Sequence, residues 1–189
     1  MTSGVRISWL ALLLALLPLP AVAQWDAAQL LAALARAVPE RIAYSETRRL
    51  AYLDVPLTST GELEFRPPDW LRRSVQGSAE SYVIAGDVVR VETPGGSREI
   101  ALDVHPALRA FAESLRATLA GDLPRLQRHF HVELHGGIER WRLLLRPHYA
   151  GVAVLIESIE LSGAGTQLLR IESRESGGDI TITELKAGR

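Results

Sequence analysis

From Arg41 onward this chain is cut into short extended segments by breakers too brief for anything except hairpins. Six come first: Arg41–Tyr52, Leu57–Arg66, Trp70–Gln76, Glu80–Ala85, Asp87–Thr93 and Ser97–Leu102. Pro56, Pro67-Pro68, Gly77-Ser78, Gly86-Asp87 and Pro94-Gly95-Gly96 separate them. Five more follow: Phe130–His135, Glu139–Arg146, Val154–Leu161, Gln167–Ser173 and Asp179–Leu185, with glycine pairs between several of them. Parallel pairing needs a crossover of a dozen residues or more, so these strands must be antiparallel. Several alternate visibly: Leu63 and Phe65 oppose Glu62 and Glu64, and Tyr82 and Ile84 oppose Ser81 and Val83. Eleven such strands in one twisted sheet cannot stay flat, and a curled sheet needs its concave face filled.

Three helical stretches are available for that filling. Asp26 is an N-cap for a helix over Ala27–Val38, stopped by Pro39, with Leu30, Leu31, Leu34 and Val38 on one stripe. The second begins at Pro106 and places Leu108, Phe111, Leu115 and Leu119 on one face, with Arg109, Glu113 and Arg116 opposite. Gly121 closes it, and Asp122 caps a short third helix to about Arg128. The expected fold is mainly β with α: a half-open antiparallel β-barrel of about eleven strands, with an N-terminal helix and a helical insert forming a lid or plug.

The residues ahead of this fold read as an export signal. Arg6 is the only charge before Asp26, Ile7 to Leu17 is apolar apart from Ser8, and Ala21-Val22-Ala23 supplies small residues for cleavage before Gln24. The apolar run is too short to span a bilayer. The expectation is a signal peptide over residues 1–23, a single domain over 24–189, and a periplasmic location. Gln24 in place of cysteine at the new N-terminus argues against an acylated lipoprotein.

Composition removes several function classes. With 21 Lys and Arg against 22 Asp and Glu, no charge excess points to nucleic acid. The chain has no cysteine, which excludes disulfides, thiol nucleophiles, cysteine-ligated metals and lipid attachment through sulfur. His129, His131 and His135 share parity if they lie on one strand, but such spacing alone does not make a metal site, and they read as the solvent face of a strand. Neither G-x-S-x-G nor a Walker loop, H-E-x-x-H or G-x-G-x-x-G is present. No catalytic constellation, metal or cofactor is expected. What remains is apolar strand surface: Trp141, Leu143 and Leu145 alternate with Arg140, Arg142 and Arg146, and Leu63 with Phe65, Val89 with Val91, Leu169 with Ile171 and Ile180 with Ile182 repeat the pattern. A half-barrel this wide has more concave surface than three short helices fill, which implies a lipophilic cavity.

Several stretches resemble the LolA-like periplasmic outer-membrane lipoprotein carrier family. They are Ser45-Glu46-Thr47-Arg48-Arg49-Leu50, Gly61-Glu62-Leu63-Glu64-Phe65-Arg66-Pro67-Pro68, Ile84-Ala85-Gly86-Asp87, Ala120-Gly121-Asp122-Leu123 with Phe130, and Trp141-Arg142-Leu143-Leu144-Leu145-Arg146-Pro147. The pattern is that of a divergent branch. The resemblance implies a non-enzymatic shuttle, likewise without cofactor, whose helical lid covers an acyl-binding cavity. It implies acylated lipoprotein or other lipid cargo, received from an inner-membrane exporter and delivered to an outer-membrane acceptor. The expected lining is Leu63, Phe65, Phe111, Leu115, Trp141 and Leu143. Arg66, before Pro67, is the nearest match to the arginine that locks the lid in that family. A monomer is expected, and the alternative function is a non-enzymatic envelope interaction or sensor module of the same fold.

Overall fold

The computed structural model describes residues 25–186, so the signal peptide and its cleavage before Gln24 lie outside the described residues. Helix α1 (Ala27–Ala37) starts at a capping box in which Asp26 accepts the Gln29 N–H and the Gln29 side chain accepts the Asp26 N–H. Six strands follow: β1 (Arg41–Arg49), β2 (Leu57–Arg66), β3 (Trp70–Val75), β4 (Ser81–Ala85), β5 (Val88–Thr93) and β6 (Gly96–Ala101). A 3-10 turn at Leu102–Val104 leads into α2 (Pro106–Ala120) and α3 (Leu123–His129). The chain then forms β7 (Phe130–Gly137), β8 (Arg140–Pro147), a short α4 (Ala150–Ala153), β9 (Ile156–Ala164), β10 (Gln167–Glu175) and β11 (Ile180–Leu185).

All eleven strands belong to one antiparallel sheet in the order β6-β5-β4-β3-β2-β1-β11-β10-β9-β8-β7. Two meanders are joined along β1 and β11, the first strand and the last. The edge strands β6 and β7 are consecutive in sequence, and the chain passes from one edge to the other through α2 and α3. Directly paired residues share a face of a sheet. The register therefore carries one inward row from Ile84 through Leu71, Phe65, Leu63 and Ile42, and a second through Leu143, Leu161 and Ile171. Those inward residues, with Leu30, Leu31 and Leu34 of α1 and Leu115 of α2, make the hydrophobic core.

The structure alters the sequence expectations in four places. Residues Ala150–Ala153 form α4, so β9 begins at Ile156. A β-bulge between Leu168 and Arg170 resets the alternation of β10, so Leu168 and Ile171 are buried and Leu169 is not. In β11 the inward residues are Thr181, Thr183 and Leu185, paired with Arg48, Glu46 and Tyr44, and Ile180 and Ile182 take the outer face. Finally, α2 has no solvent face along its middle, because every residue from Ala112 to Thr118 is buried, Glu113 and Arg116 included. It is a central plug rather than a lid, covered by the sheet on one side and by α1, α3 and the 3-10 turn elsewhere.

Candidate functional site

A cavity of about 280 Å³ lies between the C-terminal half of α1, the plug α2 and the concave floor of β1–β3, β10 and β11. Leu34, Val38 and Pro39 form one wall, Leu115 and Leu119 of α2 another, and Ile42, Leu63, Phe65, Leu71, Leu168, Ile171 and Leu185 the floor. No charged side chain lines it; Thr166, on the β9–β10 turn, and Gln167, the first residue of β10, bring the polar groups. Its size falls just short of the usual range of small-molecule sites, about 300–1,000 Å³. A hollow of this kind selects by apolar area and shape, not by hydrogen bonds.

Tyr44 bounds the apolar floor. Its ring lies over Gly61, where an added Cβ would sit 2.9 Å from the ring and collide with the Ser74 carbonyl, and its hydroxyl donates to that carbonyl at 3.1 Å. Burial is the main influence on the Tyr44 phenol and raises its pKa, with Arg73 acting in the opposite sense. Beyond Tyr44 the same floor turns polar. Arg73 donates to Glu46 at 2.8 Å and stands over the Tyr44 ring at 5.0 Å, and the Thr183 hydroxyl donates to the other Glu46 oxygen at 3.2 Å.

A buried ionic cluster holds the plug. Arg116, 1% exposed, donates to the Gly86 carbonyl at 2.8 Å and to Glu113 at 3.1 Å. Arg125 of α3 grips the same carboxylate with two hydrogen bonds, at 2.7 and 3.0 Å. Burial alone would raise the Glu113 pKa, but the hydrogen bonds and charges of Arg125 and Arg116 outweigh it and hold the carboxyl below its ordinary value. One cluster thus joins α2, α3 and the β4–β5 turn.

Of the residues singled out from sequence, Leu63, Phe65 and Leu115 line the cavity. Trp141 and Leu143, on β8 beside β9, are fully buried in the core, and the Trp141 indole donates to the Gly165 carbonyl at 3.0 Å. Phe111 packs against the core half-buried and away from the lining. Arg66 is on the outer face of β2, where it donates to Glu40 at 3.2 Å and stacks over Trp70 at 4.7 Å. Its parity is opposite to that of Leu63 and Phe65, so it does not reach the helices, and Arg116 makes the bond between helix and sheet instead. Sequence reasoning missed Leu34, Val38, Ile42, Leu71, Leu119, Leu168, Ile171 and Leu185 as lining. Leu34, Val38 and Leu119 were legible as ends of helical stripes, whereas the bulge concealed Leu168.

The histidines do not converge on one point. His129 ends α3, His131 and His148 pack edge to face with ring centroids 3.9 Å apart, and His135 is 3.6 Å from Glu133. Burial is the main reason that His129 stays below its ordinary pKa. Among the described residues no group of three or more His, Asp or Glu side chains is arranged to hold a metal. No described helix is long and apolar enough to cross a membrane.

A comparison with curated proteins finds no match. Among solved structures, a LolA superfamily protein of Nitrosomonas europaea aligns over 86% of this chain and 92% of its own, with 10% identity and a TM-score of 0.48. An outer-membrane lipoprotein-sorting protein domain of Vibrio parahaemolyticus aligns over 85% and 92%, with 11% identity and a TM-score of 0.44. The MucA/MucB complex of Pseudomonas aeruginosa aligns over 85% of this chain and 56% of the other, with 14% identity and a TM-score of 0.43. The family model for outer membrane lipoprotein carrier protein LolA-like chains matches residues 20–189. With that match spanning the helix, both halves of the sheet and the plug, the chain belongs to the LolA-like family of outer-membrane lipoprotein carrier proteins.

Proposed function

We propose that this protein is a non-catalytic periplasmic carrier, which holds the acyl chains of lipoproteins or other lipids in the cavity beneath α2. In this reading residues 1–23 are removed on export and residues 24–189 form the carrier domain. Cargo arrives from an inner-membrane exporter and leaves to an outer-membrane acceptor. The observation that carries the reading is the lining itself, which apart from Thr166 and Gln167 is aliphatic and aromatic, with no charged side chain. Each methylene buried there contributes about 0.8 kcal/mol, so an acyl chain binds without any polar anchor. The aliphatic floor offers few directional contacts, which leaves release feasible.

The test is an apolar fluorescent dye displaced by fatty acid or lipopeptide. Wild type binds the dye, and Leu63→Trp, which fills the hollow from the floor, loses it while the circular dichroism spectrum keeps its β signature. A folded wild type that binds neither dye nor lipid would reduce the cavity to a packing feature and favour the interaction-module alternative.

A further inference from the structure

We propose that the end of the sheet formed by the β1–β2, β8–β9 and β10–β11 connections is a docking rim for a zwitterionic phospholipid surface. Ten large apolar side chains are exposed among the described residues, and seven of them belong to two connections at this one end. Tyr52, Leu53, Val55 and Leu57 come from the β1–β2 connection and the start of β2, and Tyr149, Val154 and Leu155 come from the β8–β9 connection. Tyr52 and Val55 are 78% and 74% exposed, values at which the side chains stand free of the protein.

The two connections are joined through the β10–β11 turn into one rim. The Ala51 N–H donates to the Asp179 carboxylate at 2.8 Å on one side of that turn. On the other, the Ser176 N–H donates to the Leu155 carbonyl at 3.1 Å and its hydroxyl to the Ala153 carbonyl at 2.7 Å. Apolar tips on a hydrogen-bonded frame keep the rim presented to solvent, whereas an unconstrained loop would fold these side chains back.

Shape and charge select the occupant. Tyr149 borders a hollow with Asp103, Arg109, His129 and Val152; the other six side chains project from turns, so they suit a soft medium that needs no matching knobs. Tyrosines stand in both connections, and tyrosine is favoured where an apolar layer meets a polar one. The charges around them are of both signs, with no basic excess: Arg48 and Arg49 stand against Asp54, Glu175 and Asp179, and Arg48 is 3.9 and 3.8 Å from the last two. Mixed charge around apolar tips complements a zwitterionic headgroup layer, where a strongly anionic one calls for a basic excess. Pro39 and Thr166 of the cavity lining are at the opposite end of strands that run roughly 25 Å at the usual rise per residue. None of the seven rim residues lines the cavity, so the two activities are separable by mutation.

The experiment uses protein recovered from the periplasm, with loss of the leader confirmed by intact mass, and vesicles of phosphatidylcholine and phosphatidylethanolamine. Wild type is expected to sediment with the vesicles, and raising NaCl to about 0.5 M to change the bound fraction less than about twofold. Val55→Glu and Val154→Glu, on separate connections, should each lower partition about tenfold, since a carboxylate resists burial in an apolar layer. Both should keep dye binding in the cavity, which also reports that they are folded. Because the chain lacks cysteine, Val55→Cys can carry a single nitroxide, and its oxygen accessibility should rise on vesicles. Wild type left in the supernatant, binding abolished by salt, a nitroxide that stays in water, or self-association that Val55→Glu abolishes would each overturn the proposal. The last outcome would make the rim a protein contact.

Discussion

Arg116 is the side chain on which the position of the plug most depends. It is buried among a carbonyl, a carboxylate and apolar neighbours, and its Nε has no hydrogen-bond partner among the described residues. Truncating one member of such a buried cluster strands the others, so Arg116→Ala should lower unfolding free energy by about 3–5 kcal/mol in urea titrations. Arg116→Met should cost less, because the methionine fills the volume and Glu113 keeps both bonds from Arg125. Glu113 also sets an acid limit. Its folded pKa lies below the unfolded value, near 4.3, so its contribution is complete above that value and is lost as pH falls through the folded one. His129, also depressed, adds destabilisation with the same sign as pH falls below its ordinary value near 6.5. Thermal melting should therefore decline on acidification, and Glu113→Gln should flatten the lower part of that profile. An unchanged slope in Glu113→Gln would place the acid-sensitive group elsewhere.

Among the elements, α2 differs most from its sequence appearance. Its stripe of Leu108, Phe111, Leu115 and Leu119 reads as an ordinary amphipathic helix, yet Glu113, Ser114, Arg116 and Thr118 on the other faces are buried too. Amides from Ala110 to Thr118 should exchange hydrogen nearly as slowly as the central strands, while α4, with no buried residue, exchanges early. Fast exchange across α2 in the ligand-free protein would describe a lid that opens readily, contrary to a plug held by Arg116. The β2–β3 pairing depends in turn on Gly61, whose missing side chain admits the Tyr44 ring and the Ser74 carbonyl. Gly61→Ala should be strongly destabilising, about 3 kcal/mol or more, because the obstructing atoms include backbone that cannot turn aside.

At the scale of the whole molecule, one sheet joins the two ends of the described chain, since β1 pairs with β11. The helices between β6 and β7 then determine how much of the concave face is left open. Intact mass of the exported protein should correspond to a first residue at Gln24. A mass that includes residues 1–23 would mean an anchored protein and would rule out a free shuttle.

Eleven strands, their antiparallel sense and the helical insert could be read directly from sequence, because hairpin spacing and period-2 alternation are local properties that survive without tertiary information. Leu63 and Phe65 were legible as inward by strand parity, and Leu115 by its place on the apolar stripe of its helix. Parity does not tell what an inward side chain meets. Trp141 and Leu143 point inward into packed core, Leu63 points inward into a void, and Arg66 points outward although the chain around it resembles a lid lock. Whether a concave position faces a helix or an opening depends on where α1 and α2 come to rest across strands distant in sequence. Only the assembled sheet decides that.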